Sequence, residues 1–293
     1  MRAAPLFAAV ALVALPAAAL AQASGAATAS PDLPGTLLGT YAMASNGCAN
    51  ATLAVQVTPR SVVTMSTSGD NRLMRVVTTQ ALGDWTVAVG GGDDMPRVLL
   101  RPAGEGAETG IDRLLPDPKL RDDQLPGPQA PVHLRRCGEL PLLLAVLHGE
   151  GLATLHGLEA MEPPCAEGLL QACMDALMSY ADLNKDGRLN PAELARVARG
   201  AAWFAQMTSG ATAGELEAGL AAALLGGLAA SETLVRSYDY DSQGSITPQQ
   251  LMHDRMSIAL QPQPRTSAAS PVEIGPVVGP QLGPLISLLR FLE

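Results

Sequence analysis

The sequence predicts an α+β protein in which a small antiparallel β module precedes a helical half. Three observations carry that prediction. Short apolar runs between residues 35 and 102 alternate with a period of two, the signature of half-buried strands. From about Ala166 the apolar residues recur at spacings of three and four, as on one face of a helix. Between these textures, residues 103–139 are rich in Pro, Gly and charge and hold no sustained period, which reads as a loop or linker.

The elements follow in chain order. Arg2 and the apolar run of residues 3–19 end in Ala19-Leu20-Ala21, the small-x-small pattern of a cleaved secretory signal. Residues 1–21 are therefore expected to be removed, with Gln22 as the mature start. Pro16 interrupts that run, and a spanning helix needs about 20 apolar residues, which argues against a membrane anchor. The later apolar stretch, 220–230, reads as too short to span, so no membrane span is expected in the mature chain. Within the β module, Leu53, Val55 and Val57 alternate with Thr52, Ala54 and Gln56. Residues 62–66 and 73–79 flank Ser68-Gly69-Asp70-Asn71, a hairpin turn by composition, and residues 85–89 and 97–100 add two more strands. Five or six short strands at this spacing predict a small antiparallel sheet or barrel. Leu38-Gly39-Thr40-Tyr41 resembles the opening strand of lipocalin-like barrels, a match too short to imply a ligand.

Residues 140–147 are continuously apolar and fit either a helix or a buried strand. The helical domain is expected over 140–260. Beyond it, Gln261-Pro262-Gln263-Pro264 opens a Pro-rich tail, 261–293, that ends in a short amphipathic helix candidate at 285–292. That helix either packs on the protein's own surface or docks an unidentified protein partner.

Acidic side chains outnumber basic ones by 28 to 19, for a formal net charge of −9. That sign disfavours nucleic acid and anionic lipid as general partners and suits a bound cation. Cys48, Cys137, Cys165 and Cys173 all follow the signal, and an even count in an exported chain predicts disulfides and a periplasmic or secreted location. Three pairings are open. The preferred one joins Cys48 to Cys137 across the ends of the β module, which leaves Cys165 for Cys173. Eight residues of continuous helix span about 12 Å, beyond disulfide reach, so this second pair requires a helix that begins after Cys165. No close Cys-x-x-Cys pair points to metal ligation by sulfur.

The densest chemistry lies at 182–193, Asp-Leu-Asn-Lys-Asp-Gly-Arg-Leu-Asn-Pro-Ala-Glu. Asp182, Asn184 and Asp186 place oxygen-bearing side chains at alternate positions, as a hard cation wanting six to eight oxygens requires. Gly187 supplies the sharp turn. Arg188 offers its backbone carbonyl, with the side chain free to point away. Asn190 ligates directly or through water, and Glu193 closes the cage with two carboxylate oxygens. Asn190-Pro191 is also a helix cap followed by a first-turn proline, and apolar stripes flank the loop on both sides. The pattern, over about residues 170–205, resembles an EF-hand, which implies Ca2+ as cofactor and Leu189 as the residue that packs against a partner loop.

EF-hands pair, and a second loop follows at 239–250. Its candidate ligands are Asp239, Asp241, Gln243, Ser245, Thr247 and Gln250, with Gly244 at the turn and Ile246 in the place of Leu189. Gln243 and Gln250 depart from the family pattern, and Gln250 cannot match a bidentate carboxylate. Affinity follows ligand charge, so the resemblance implies a strong first site and a weak or purely structural second one. The loops start 57 residues apart, about 20 more than a compact pair uses. The resemblance therefore implies an all-α EF-hand pair with one inserted helix that could cover the groove between the hands.

The four histidines show no ligand spacing, and no acid, base and nucleophile assemble into a motif, so no catalytic residue is assigned and an enzyme is not expected. The function implied is an exported calcium-binding protein in which the ion mainly stabilises or is buffered. The alternatives are an exported enzyme with a structural calcium, and a calcium-dependent interaction module of the cell envelope.

Overall fold

The computed structural model describes residues 32–43, 47–91, 95–104, 109–167 and 170–253. The expected signal at 1–21 and the expected tail helix at 285–292 lie outside the described residues.

Eight antiparallel strands close on themselves: β1 Gly39–Met43, β2 Leu53–Thr58, β3 Ser61–Ser66, β4 Arg72–Leu82, β5 Trp85–Gly90, β6 Arg97–Ala103, β7 Gly110–Leu114 and β8 Val132–Cys137. Each strand pairs with its successor, and β8 returns to β1 in the register Thr40 to Cys137 and Met43 to Leu134. Tyr41, Val55, Val57, Val62, Met74, Val76, Leu100, Ile111 and Leu134 fill the interior as one buried cluster. The outward residues Ala54, Val63, Met65 and Leu73 are buried too, because helices cover that side. Double burial explains why β3 is buried along almost its whole length, with Val62 facing inward and Val63 and Met65 outward.

Among the described residues four long helices follow: α1 Leu142–Ala166, α2 Leu170–Ala181, α3 Pro191–Ser209 and α4 Ala213–Tyr238. Leu144, His148, Leu152, Leu155 and Glu159 recur at three and four along α1 and form its buried stripe. Leu144, Leu152 and Leu155 join Trp203 and Met207 of α3 and Leu216 of α4 against the outer face of β2, β3 and β4. Each such side chain contributes about 2 kcal/mol through removal of apolar surface from water. Helix α1 approaches α3 closely because Gly151 leaves room for the Trp203 ring, which a Cβ would meet at 2.0 Å. A polar clasp adds direction. Glu159 accepts hydrogen bonds from Thr58 Oγ1 and Ser61 Oγ, both at 2.6 Å, and from Arg75 at 2.9 Å. Glu162 binds Arg60 and Arg75 beside it.

This architecture corrects the expected fold class. The β part is a closed barrel spanning residues 35–137, not a small module ending near 102, because β7 and β8 lie in the stretch read as linker. Those two strands are short and carry Asp112, Arg113, His133, Arg135 and Arg136, which hide their alternation. The helices are not a separate all-α pair, since α1 and α3 pack on the barrel wall. No inserted helix occupies the interval between the loops. Instead α3 and α4 are long, joined by a turn at 210–212, and α4 lies along α3 rather than over a groove between the loops. The apolar stretch at 220–230 belongs to this 26-residue α4, which among the described helices is long and apolar enough to cross a membrane by length and composition, with Leu224, Leu225 and Leu228 exposed.

Both disulfides form as preferred above. Cys48 joins Cys137 with Cα atoms 5.6 Å apart, and Cys165 joins Cys173 at 4.5 Å. The second closes because α1 ends at Ala166 and α2 starts anew at Leu170, so no continuous helix separates the two sulfurs. Disulfides of this kind are consistent with an extracellular or periplasmic location.

Candidate metal centre and its paired loop

Two loops trace the same backbone path. The first runs from the end of α2 to the start of α3, the second from the end of α4 to a further helical turn at 248–253. Positive φ occurs at the fourth and sixth positions of both, at Lys185 and Gly187 in the first (59° and 77°) and at Ser242 and Gly244 in the second (57° and 75°). Glycine meets the sixth-position requirement without strain. In each loop the first aspartate receives two backbone N–H groups. Asp182 accepts from Asp186 at 3.2 Å and Gly187 at 2.9 Å, and Asp239 accepts from Gln243 at 2.9 Å and Gly244 at 2.6 Å. The loops meet at their eighth residues, where Leu189 N donates to Ile246 O at 2.7 Å and Ile246 N to Leu189 O at 2.9 Å. Both side chains are buried.

The first loop gathers its predicted residues. Asn184 and Asp186 are joined side chain to side chain at 2.9 Å, and Asp186 also accepts from Arg188 N at 2.8 Å. Asn190 caps α3 by accepting from the backbone of Ala192 and Glu193. Glu193 reaches back across the loop, with Oε1 accepting from Leu183 N at 2.8 Å and Oε2 from Asn190 N at 3.0 Å. Asp182 and Glu193 are 5% and 4% exposed, so two of the three carboxylates are out of water. Among the described residues, none of Asp182, Asp186 and Glu193 has a cationic side chain within salt-bridge distance. Lys185 turns away to Ser179 O. These carboxylates face backbone N–H groups, and among the described residues no three His, Cys, Asp or Glu side chains converge as a metal cluster. The donor set nonetheless fits a hard dication: it is all oxygen, carries three negative charges, and leaves them without a counter-charge.

The second loop differs in its centre. The Arg188 side chain, expected to point away, crosses from the first loop and donates to both oxygens of Asp241 at 3.1 and 2.9 Å and to Ser245 Oγ at 2.7 Å. Gln250 gives its oxygen to Thr247 N at 2.7 Å and Thr247 Oγ1 at 3.1 Å, and turns its amide N–H toward Asp241 at 3.0 Å. Gln243 donates to the Asp241 carbonyl. Arg188 first, then the contacts with Asp239 and Gln250, hold the Asp241 carboxyl down to about 2. A guanidinium thus sits where the second loop would present its charge to a metal. The signal for this was an arginine at the seventh position of one loop opposite an acid-poor partner.

Compared with known proteins, the chain matches no family model, no curated sequence and no solved structure.

Proposed function

We propose that this protein is an exported calcium-binding protein, periplasmic or secreted, that holds one ion in the EF-hand-like loop 182–193. The observation that carries the reading is the set of three carboxylates, two of them buried, with no cationic partner among the described residues. Burying charge without compensation is costly, and a bound dication would remove that cost. Asp182, Asn184, Asp186, the Arg188 carbonyl, Asn190 and Glu193 would supply the oxygens. The ion contributes electrostatic neutralisation and fixes the angle between α2 and α3. Loop 239–250 acts as the structural partner, its Asp241 neutralised by Arg188. Because α3 also packs on the barrel through Trp203 and Met207, ordering the loop stabilises the whole molecule rather than a detached helical pair.

Calorimetric titration of the disulfide-intact protein with calcium chloride tests this. One ion per chain is expected. A chain that is folded and shows no heat at millimolar calcium would sink the proposal.

A further inference from the structure

A second charge imbalance lies at one end of the barrel. Arg113 stands on β7 two residues after Ile111, whose side chain belongs to the buried interior. Residues two apart on a strand share a face, so Arg113 points inward. Its Nη2 donates to Thr64 Oγ1 on β3 at 2.9 Å. In the closed eight-strand ring β3 and β7 stand four strands apart, on opposite walls, so this bond crosses the barrel interior. Thr64 is paired in register with Arg72 on β4, and directly paired residues project to the same face. Two guanidinium-bearing residues therefore flank one hydroxyl, near the end where β3 and β7 finish and β4 begins.

Neither has a counter-charge among the described residues. Arg113 Nε is buried without an acceptor, and burial lowers the Arg113 pKa from its ordinary value. No carboxylate pairs with Arg72 or Arg113 among the described residues, although Arg60, Arg75, Arg97 and Arg101 on the same barrel each hold one. The acid nearest in sequence, Asp112, faces outward and binds Arg101 and His133. A buried charge persists when a partner offsets it, and guanidinium groups match carboxylate and phosphate oxygens in geometry.

We propose that the barrel end bounded by Arg72, Thr64 and Arg113 binds an oxyanion, the carboxylate or phosphate group of a small ligand. Arg113, half-buried, supplies the buried Nε donor, Thr64 orients the guanidinium across the interior, and Arg72, exposed at the rim, closes on the anion from the solvent side. Two residues further into the barrel Val57, Val62, Met74 and Val76 are packed together, so the anionic head enters and the remainder of the ligand stays at the mouth. The site does not depend on calcium.

Thermal unfolding of the full, disulfide-intact protein tests this in calcium-free buffer at constant ionic strength. The probes are sodium acetate, sodium octanoate and sodium phosphate. A saturable rise in midpoint with at least one probe is expected. Acetate and octanoate acting alike identify a carboxylate, octanoate acting at much lower concentration identifies an apolar-tailed one, and phosphate acting best identifies a phosphate ester. Arg113→Met should start from a higher midpoint, being relieved of an unpaired charge, and should show no saturable response. Arg72→Gln, a change at an exposed side chain, should fold like the parent and need about tenfold more probe. No response of the parent to any probe, or an unchanged response in both variants, overturns the proposal.

Discussion

Replacing Glu193 by Gln tests the metal centre through a quantity that can be worked out beforehand. Glu193 is 4% exposed and accepts three backbone N–H groups, from Leu183, Asn184 and Asn190. Gln keeps one oxygen for Leu183 and Asn184 but presents an N–H to Asn190 N, so one buried donor loses its acceptor. That costs about 1–3 kcal/mol even without calcium. The calcium-dependent increment must therefore be compared, not the absolute midpoint. For the parent at a calcium concentration one hundred times Kd, binding to the native state adds about 2.7 kcal/mol. At roughly 2–4 °C per kcal/mol for a chain of this size, the midpoint should rise by about 5–10 °C. Loss of a charged ligand contribution of about 3 kcal/mol weakens binding about a hundredfold. At the same calcium concentration the variant should then gain only about 0.4 kcal/mol, or about 1 °C. Differential scanning calorimetry with and without calcium gives both increments. Equal increments in parent and variant would refute the role of Glu193 and place any bound ion elsewhere.

Other perturbations follow from the same contacts. The double variant Arg188→Ala, Gln250→Glu removes the guanidinium from the second loop and restores a carboxylate at its twelfth position, so calcium stoichiometry by calorimetry should rise from one to two. His148 is buried, its Nδ1 accepts from Trp203 Nε1 at 3.1 Å, and burial lowers its pKa from 6.5 to about 4. Folding favours the neutral ring, so this contribution is complete above pH 6.5 and is lost as pH falls toward 4, about 3 kcal/mol in all. Urea unfolding at a series of pH values should show that slope in the parent and a flatter one in His148→Gln. The Cys48–Cys137 bond closes a loop of 89 residues and the Cys165–Cys173 bond one of 8. Replacing the first pair by Ser should cost about 4–5 kcal/mol against about 2–3 for the second, measured by urea midpoints.

What could be read from the chain depended on how local each signal is. The turn at 182–193 is legible because every constraint on it falls within twelve residues: alternating oxygens, Gly187 where φ is positive, and the Asn190 cap. The strands from β2 to β6 were legible for the same reason, as hairpin neighbours with alternating apolar faces. Barrel closure was not, because Thr40 meets Cys137 across 97 positions and nothing near either residue encodes the other. Strand β7 was hidden by its own chemistry, since an inward-facing Arg113 breaks the apolar alternation that marks a strand. Arg188 misled in a similar way. Taken alone, its side chain has no reason to leave solvent, and only the return of the chain at Asp241 and Ser245, more than fifty residues later, gives it partners.

The seam between β1 and β8 has a consequence for the fate of a damaged molecule. Cys137 ends β8 and Cys48 follows β1, so the covalent bond spans the two termini of the barrel. Seven connections join the eight strands, and exposed connections are the preferred sites of proteolytic nicking. A single cut at any connection between residues 48 and 137 turns the chain into two pieces that remain tied through sulfur. Such a nicked molecule keeps one mass under oxidising conditions and splits only on reduction. Under oxidising conditions the barrel can therefore be cut once between residues 48 and 137 without releasing a fragment.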